Sequence, residues 1–146
     1  MMMESIRSAR PEDEVGVLGL LAEAGLPTDE VREWLPRYIV AEAGGRIVGV
    51  AGLEVHGSDG VLRSVVVDPS HRGEGLGGRL AATVIAKARQ AGLRRLYLLT
   101  ETAEDYFPRH GFRRVDRSEV SAPVKESVEF REACPDSAVA MVLDLG

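Results

Sequence analysis

From Leu76 onward apolar residues recur every four positions, at Leu76, Leu80, Val84 and Ala88, with Ala81 and Ile85 beside them. That spacing puts them on one stripe of a helix, and Gly92 stands where its C-terminal cap belongs. Leu62–Val67, just upstream, is rich in β-branched residues and reads as a buried strand. Tyr38–Ala43 and Arg46–His56 are two apolar runs around Gly44-Gly45, the pattern of a hairpin. Gly57–Gly60 then turns the chain into Val61–Val67, so the first half is an antiparallel meander. Leu96–Leu99 is the next strand, reached through a helical crossover and therefore parallel to Val61–Val67. Ser5–Arg7 is a short first strand, Ala103–His110 a short helix, Gly111-Phe112 the entry to another strand and Val139–Leu145 the last. Near the N-terminus, Pro11–Glu14 opens a helix with proline and acids in its first turn. Its apolar positions are Val15, Leu18 and Leu21, and Gly25 ends it. Pro27–Glu30 opens a second helix carrying Val31, Trp34 and Leu35, ended near Pro36. The predicted fold is mixed α/β (α+β), a mostly antiparallel sheet of about seven strands flanked by helices.

Composition narrows this picture. The 146 residues suit one domain over 1–146, large enough to bury a core, and no repeat, linker or low-complexity stretch divides it. No run approaches the ~18 apolar residues of a membrane span, and the N-terminus lacks a basic region followed by an apolar core. A cytoplasmic protein without membrane contact is the expectation. The single cysteine, Cys134, excludes an internal disulfide and suits packing better than chemistry. A net charge of −5 argues against a nucleic-acid partner; Arg94-Arg95 and Arg113-Arg114 read as solvated strand ends. No His/Cys/Asp cluster has metal-ligand spacing, so no metal is expected.

The chemistry concentrates between strand and helix, in Val67-Asp-Pro-Ser-His-Arg-Gly-Glu-Gly-Leu-Gly-Gly78. Glycines at 73, 75, 77 and 78 let the backbone pass close to a ligand and adopt positive φ. The following helix aims its unpaired first-turn N–H groups and its positive dipole end at the loop, and Arg72 adds a fixed charge. This is an anion site built mostly of main chain. Gly73-x-Gly75-x-x-Gly78 also satisfies the dinucleotide fingerprint, but five residues separate it from the strand, whereas that motif starts at the strand's end. A nucleoside-triphosphate loop lacks its Gly-Lys-Ser/Thr, and a glycine-rich turn with no ligand is the bland alternative.

Arg72-x-x-Gly75-x-Gly77 after a strand ending Val-Asp-Pro resembles the acyl-CoA loop of the GNAT superfamily of N-acetyltransferases. Ala103-Glu-Asp-Tyr-Phe-Pro-Arg-His-Gly-Phe112 is similar to that superfamily's short helix ending in Gly-Phe, and the likeness covers about residues 39–115. From Leu98–Ala103 through Glu129-Phe130 and Cys134–Ala138 to Met141, the chain resembles the acetyltransferases associated with arsenic resistance. Those are similar in turn to the acetyltransferase module of acetylglutamate synthases. The resemblance implies acetyl-CoA as cosubstrate. It places the pantetheine arm and acetyl carbonyl on the backbone of Val65, Val66 and Val67, and the pyrophosphate on Arg72, Gly73, Glu74, Gly75, Leu76, Gly77 and Gly78, mainly through main-chain N–H groups. Glu74 would repel phosphate unless turned outward.

The remaining roles are less constrained. Many superfamily members carry a tyrosine four residues before the glycine of Gly-Phe, as acid for the departing thiolate. Here that position is Phe107, which has no proton to give, and its neighbour Tyr106 is the candidate acid, with an ordinary half-buried aromatic as the alternative. Glu54 is the candidate base if its strand face is the cleft; otherwise it sits on a solvated face beside His56. His71 and His110 read as loop and helix-end residues. Arg63 interrupts an apolar strand, on the face of Val61 and Val65, and a charge there needs a partner. That partner is either an acid of the protein or a substrate carboxylate gripped bidentately. Trp34 and Arg37 fall where the acceptor cleft is often walled. The expected function is acetylation of a small amino-acid-like amine, an arsenic-containing amino acid among the candidates. The alternatives are a protein N-terminal or lysine acetyltransferase and a non-catalytic CoA-binding sensor. A homodimer across the last strands fits the same pattern.

Overall fold

The computed structural model describes residues 4–101, 103, 105–127, 130 and 138–146. Seven strands form one sheet: β1 (Ser5–Ser8), β2 (Ile39–Ala43), β3 (Arg46–His56), β4 (Asp59–Val67), β5 (Arg95–Thr100), β6 (Arg113–Arg114) and β7 (Val139–Asp144). Their order is β1-β2-β3-β4-β5-β7-β6. Neighbours are antiparallel except β4 and β5, as the crossover through α3 (Leu76–Gln90) requires. Gly44-Gly45, both at positive φ, close the β2–β3 hairpin.

Among the described residues, α3 is the α-helix that packs on one face of the sheet, joined at its edge by Phe107 and Phe112. Its stripe of Leu76, Leu80, Val84, Ile85 and Ala88 packs on Ile39, Ala41, Ala51, Leu53 and Leu62, the face the four-residue spacing prescribes. The other face has two covers. α1 (Glu14–Glu23) and α2 (Val31–Trp34) lie over Tyr38, Val40, Val50 and Val66. α4 (Ala122–Lys125) and Phe130 lie over Val61, Tyr97, Ala140 and Val142.

Two local expectations are corrected. α1 buries Val17, Leu20 and Leu21, whereas Val15 is 82% exposed. The five apolar residues at 15, 17, 18, 20 and 21 contain two overlapping stripes, and the 3-10 turn Pro11–Asp13 that precedes the helix sets which one faces inward. The helix expected over 103–110 is a single 3-10 turn, Phe107–His110. Pro108 has no N–H for an α-helical bond, and Gly111 at φ +94° ends the turn.

The register of β4 carries the main feature of the site. Val66 pairs with Val50 and Arg63 with Gly52, so Ser64 and Val65 together face the single residue Ala51. This is a β-bulge, with Ser64 at φ +60°. It breaks the alternation: Val66 now shares a face with Arg63 and Val61, while Val65 turns to the α3 side. The expected common face of Arg63 and Val65 does not exist.

Candidate active site

The loop after β4 is a main-chain cradle. Gly73 and Gly75 sit at φ +85° and +77°, where a side chain would be strained. Gly75 is the N-cap of α3 and offers no side chain to the first-turn N–H groups. A cavity of about 280 Å³ opens against Val67, Arg72, Gly73 and Gly75–Gly78. Arg72 is exposed, and its Nε donates to the Val67 carbonyl at 3.1 Å, which ties the loop to the end of β4. Glu74 is exposed, does not line this cavity, and brings its carboxylate within 4.8 Å of Glu4 and His71. Glu4 joins His71 and Glu74, which are three residues apart, from a distant position that sequence spacing could not reveal. Glu4 is already held by Arg79 at 2.8 Å and by His71 at 3.2 Å.

Beside the cradle the sheet splits. The parallel pairing of β4 with β5 covers Asp59–Val61 only, and beyond it the two strands separate around a cleft of about 500 Å³. Its walls include Gly25–Pro27 after α1, Ser64 and Val65 of the bulge, Leu98–Glu101 of β5 and its end, Tyr106 and Phe107. Tyr106 lines both cavities and joins them. Of the strand residues expected to present backbone, Val65 faces the cleft, Val67 faces the cradle, and the Val66 side chain is buried toward α1.

Arg63 and Glu54 form an ion pair inside the protein. Both side chains are fully inaccessible, and Arg63 Nη1 donates to Glu54 Oε2 at 2.5 Å. Arg63 Nε donates to Ser64 Oγ at 3.2 Å and Nη2 to the Pro27 carbonyl at 3.5 Å. Of the two partners weighed for Arg63, an internal acid holds its guanidinium, and the residue also lines the cleft. Glu54 lies on neither a solvated face nor the cleft: its other oxygen accepts from His56 Nε2 at 2.7 Å. Burial pushes the Glu54 carboxyl up, but the hydrogen bonds from His56 and Arg63 outweigh it and hold the pKa below its ordinary value. Because a carboxylate only accepts, Nε2 of His56 carries the hydrogen. His56 is half-buried, edge-on to Trp34 with ring centroids 5.4 Å apart, and Arg37 is exposed.

At the acid position Phe107 is buried, edge-on to Phe112. The Tyr106 hydroxyl pairs with His110 Nε2 at 3.1 Å. A Cβ built on Gly78 would come within 3.2 Å of that hydroxyl, so the pair stands at the N-terminus of α3. Burial raises the Tyr106 pKa. Sequence reasoning did not single out Ser64, Tyr38 or the Tyr106–His110 contact. A small polar residue within a β-branched run was the one available hint for Ser64. Cys134 lies outside the described residues, as does Glu129.

Residues 4–112 match the Acetyltransferase (GNAT) family. The chain belongs to that family. Among curated GNAT relatives, an amino-acid acetyltransferase of Mycobacterium tuberculosis is 38% identical over 104 residues, covering 69% of this chain and 56% of the relative. Another, from Ectopseudomonas mendocina, is 36% identical over 118 residues, covering 75% of this chain and 27% of the relative. The chain thus spans about half of the first relative's length and about a quarter of the second's. Two solved structures share the GNAT fold. N-acetylglutamate synthase from Neisseria gonorrhoeae, complexed with coenzyme A and N-acetyl-glutamate, has a TM-score of 0.84 at 24% identity over 99% of this chain and 35% of that one. A Mycobacterium tuberculosis protein in complex with CoA has a TM-score of 0.82 at 26% identity, over 96% of this chain and 98% of that one. Among the described residues, no helix is long and apolar enough to cross a membrane.

Proposed function

We propose that this GNAT protein transfers the acetyl group of acetyl-CoA to the amino group of a small amino-acid-like substrate. The observation that carries the reading is the joining of the two cavities, a main-chain anion cradle and a cleft between split parallel strands, at Tyr106. The cradle suits a pyrophosphate because uncapped N–H groups and a helix dipole face it, and because a Cβ at its glycines would occupy the ligand's approach or strain the backbone. The separation of β4 from β5 leaves strand backbone at Ser64 and Val65 free to pair with an extended thioester arm, as a third strand would. The amino-acid acetyltransferase relatives support the acceptor class.

In this reading the protein works mainly by holding amine and thioester together and by polarising the carbonyl with main-chain donors. Glu54 acts from beneath, by fixing Arg63, rather than by taking a proton itself. Glu101, the carboxylate among the described residues that line the cleft, receives the ammonium proton directly or through water. The Tyr106 hydroxyl, bonded to His110, borders the path of the thioester arm. An arsenic-containing amino acid is one member of the acceptor class, and a cytoplasmic setting is consistent with it. Purified protein, acetyl-CoA and a panel of amines, read by thiol release, tests the proposal. Turnover with free amino acids and none with peptides is expected. Turnover only with peptide N-termini or lysines would replace the acceptor class, and tight CoA binding without turnover would make the protein a sensor.

A further inference from the structure

The strain in the cleft wall falls on one residue. Ser64 is held at φ +60°, a region that a residue with a Cβ rarely adopts. Its hydroxyl is gripped on two sides, by Tyr38 Oη at 3.0 Å and by Arg63 Nε at 3.2 Å. Each grip is itself fixed. Tyr38 is fully buried, and Gly52 makes room for it: a Cβ there would overlap the Tyr38 ring. Arg63 is anchored by Glu54, and Glu54 by His56. Two side chains, Tyr38 from the approach to β2 and Arg63 from β4, meet on the hydroxyl, and Glu54 and His56 of β3 stand in line behind Arg63. An unbulged ladder would need none of this polar machinery, and burying an ion pair only for stability is a poor bargain against apolar packing. What the bulge achieves is positional. It turns Val65 out of phase and leaves the Ser64–Val65 main chain at the cleft, where pairing with β5 has ended.

We propose that Ser64 is a positioning residue for acyl transfer, its hydroxyl clamped by Tyr38 and Arg63 so that the bulge holds the Ser64–Val65 main chain against the acetyl carbonyl. This rests on the acetyltransferase reading above. The clamp sets where the carbonyl's donor stands, so its loss lowers kcat while donor binding, governed by the glycine cradle, stays intact.

The test compares Ser64→Gly, Ser64→Ala, Tyr38→Phe and the Ser64→Ala/Tyr38→Phe double variant. Glycine adopts positive φ without strain, so Ser64→Gly keeps the fold and the thermal midpoint while freeing the bulge. Expected are kcat losses of about tenfold in each single variant, with KM for acetyl-CoA within about twofold. The double variant should lose no more than the worse single one, because both remove the same hydrogen bond. Wild-type kcat in Ser64→Gly, or losses that multiply in the double variant, would overturn the clamp. Wild-type protein that transfers acetyl to no amine overturns the functional reading itself. Active wild type with equally active variants overturns the clamp alone.

Discussion

Replacing Glu54 with glutamine probes the buried network at its centre. The substitution keeps the shape but removes the charge that balances Arg63, and it presents an amide N–H₂ toward donors on Arg63 and His56. Both side chains of the ion pair are wholly inaccessible, so water cannot take over. Breaking a buried pair on one side costs about 3–5 kcal/mol. For a chain of 146 residues, at about 2–4 °C per kcal/mol, the midpoint falls by about 6–20 °C. Calorimetric unfolding measures it directly. The companion Glu54→Leu/Arg63→Met double variant removes both charges and should recover most of the loss, since apolar replacement of a buried pair is often near neutral. The pH dependence has a definite sign. Because the folded carboxyl titrates below its unfolded value, its contribution is present above about pH 4.3 and is lost as pH falls through the lower folded pKa. The difference between wild type and Glu54→Gln should therefore shrink under acid conditions. A Glu54→Gln protein melting within about 2 °C of wild type at pH 7 would refute the reasoning.

Other substitutions test separate parts. Gly77→Ala meets nothing nearer than Val67 Cγ2 at 3.7 Å, so it should leave the midpoint unchanged and weaken CoA binding about tenfold or more by calorimetric titration; full affinity would remove the pyrophosphate from this cradle. Tyr106→Phe should lower kcat less than about tenfold, since its hydroxyl faces His110 and Gly78; a loss near 10²-fold that also abolishes the alkaline limb of the pH–rate profile would make it the acid. Arg63→Lys should destabilise the fold and depress kcat/KM alike for acceptors with and without a carboxylate, because the guanidinium faces Glu54; a selective loss for the carboxylate-bearing acceptor would return Arg63 to direct substrate contact.

The cradle and the helix behind it were legible because each rests on a local rule. Close backbone approach needs glycine, as at 73 and 75, and a buried stripe needs apolar residues a turn apart, as at Leu76, Leu80, Val84 and Ala88. The Gly44-Gly45 hairpin and the parallel β4–β5 pair followed in the same way. The bulge was hidden, since reading Val61, Arg63 and Val65 as one face assumes an unbroken period of two, and serine does not announce positive φ. That assumption also concealed the site of Glu54: Gly52, Tyr38 and the bulge together decide that it meets Arg63 rather than water. The buried face of α1 was misread because neighbouring stripes differ by a small rotation that only the preceding 3-10 turn fixes.

The most direct test of the central claim is a single turnover with protein in excess of acetyl-CoA and one free amino acid, both products being quantified by mass spectrometry. The account predicts free CoA and N-acetylated amino acid rising together in equal amounts, with no acetyl group retained on the protein. CoA released without acetylated amine, or acetyl lodged on the chain, would contradict it.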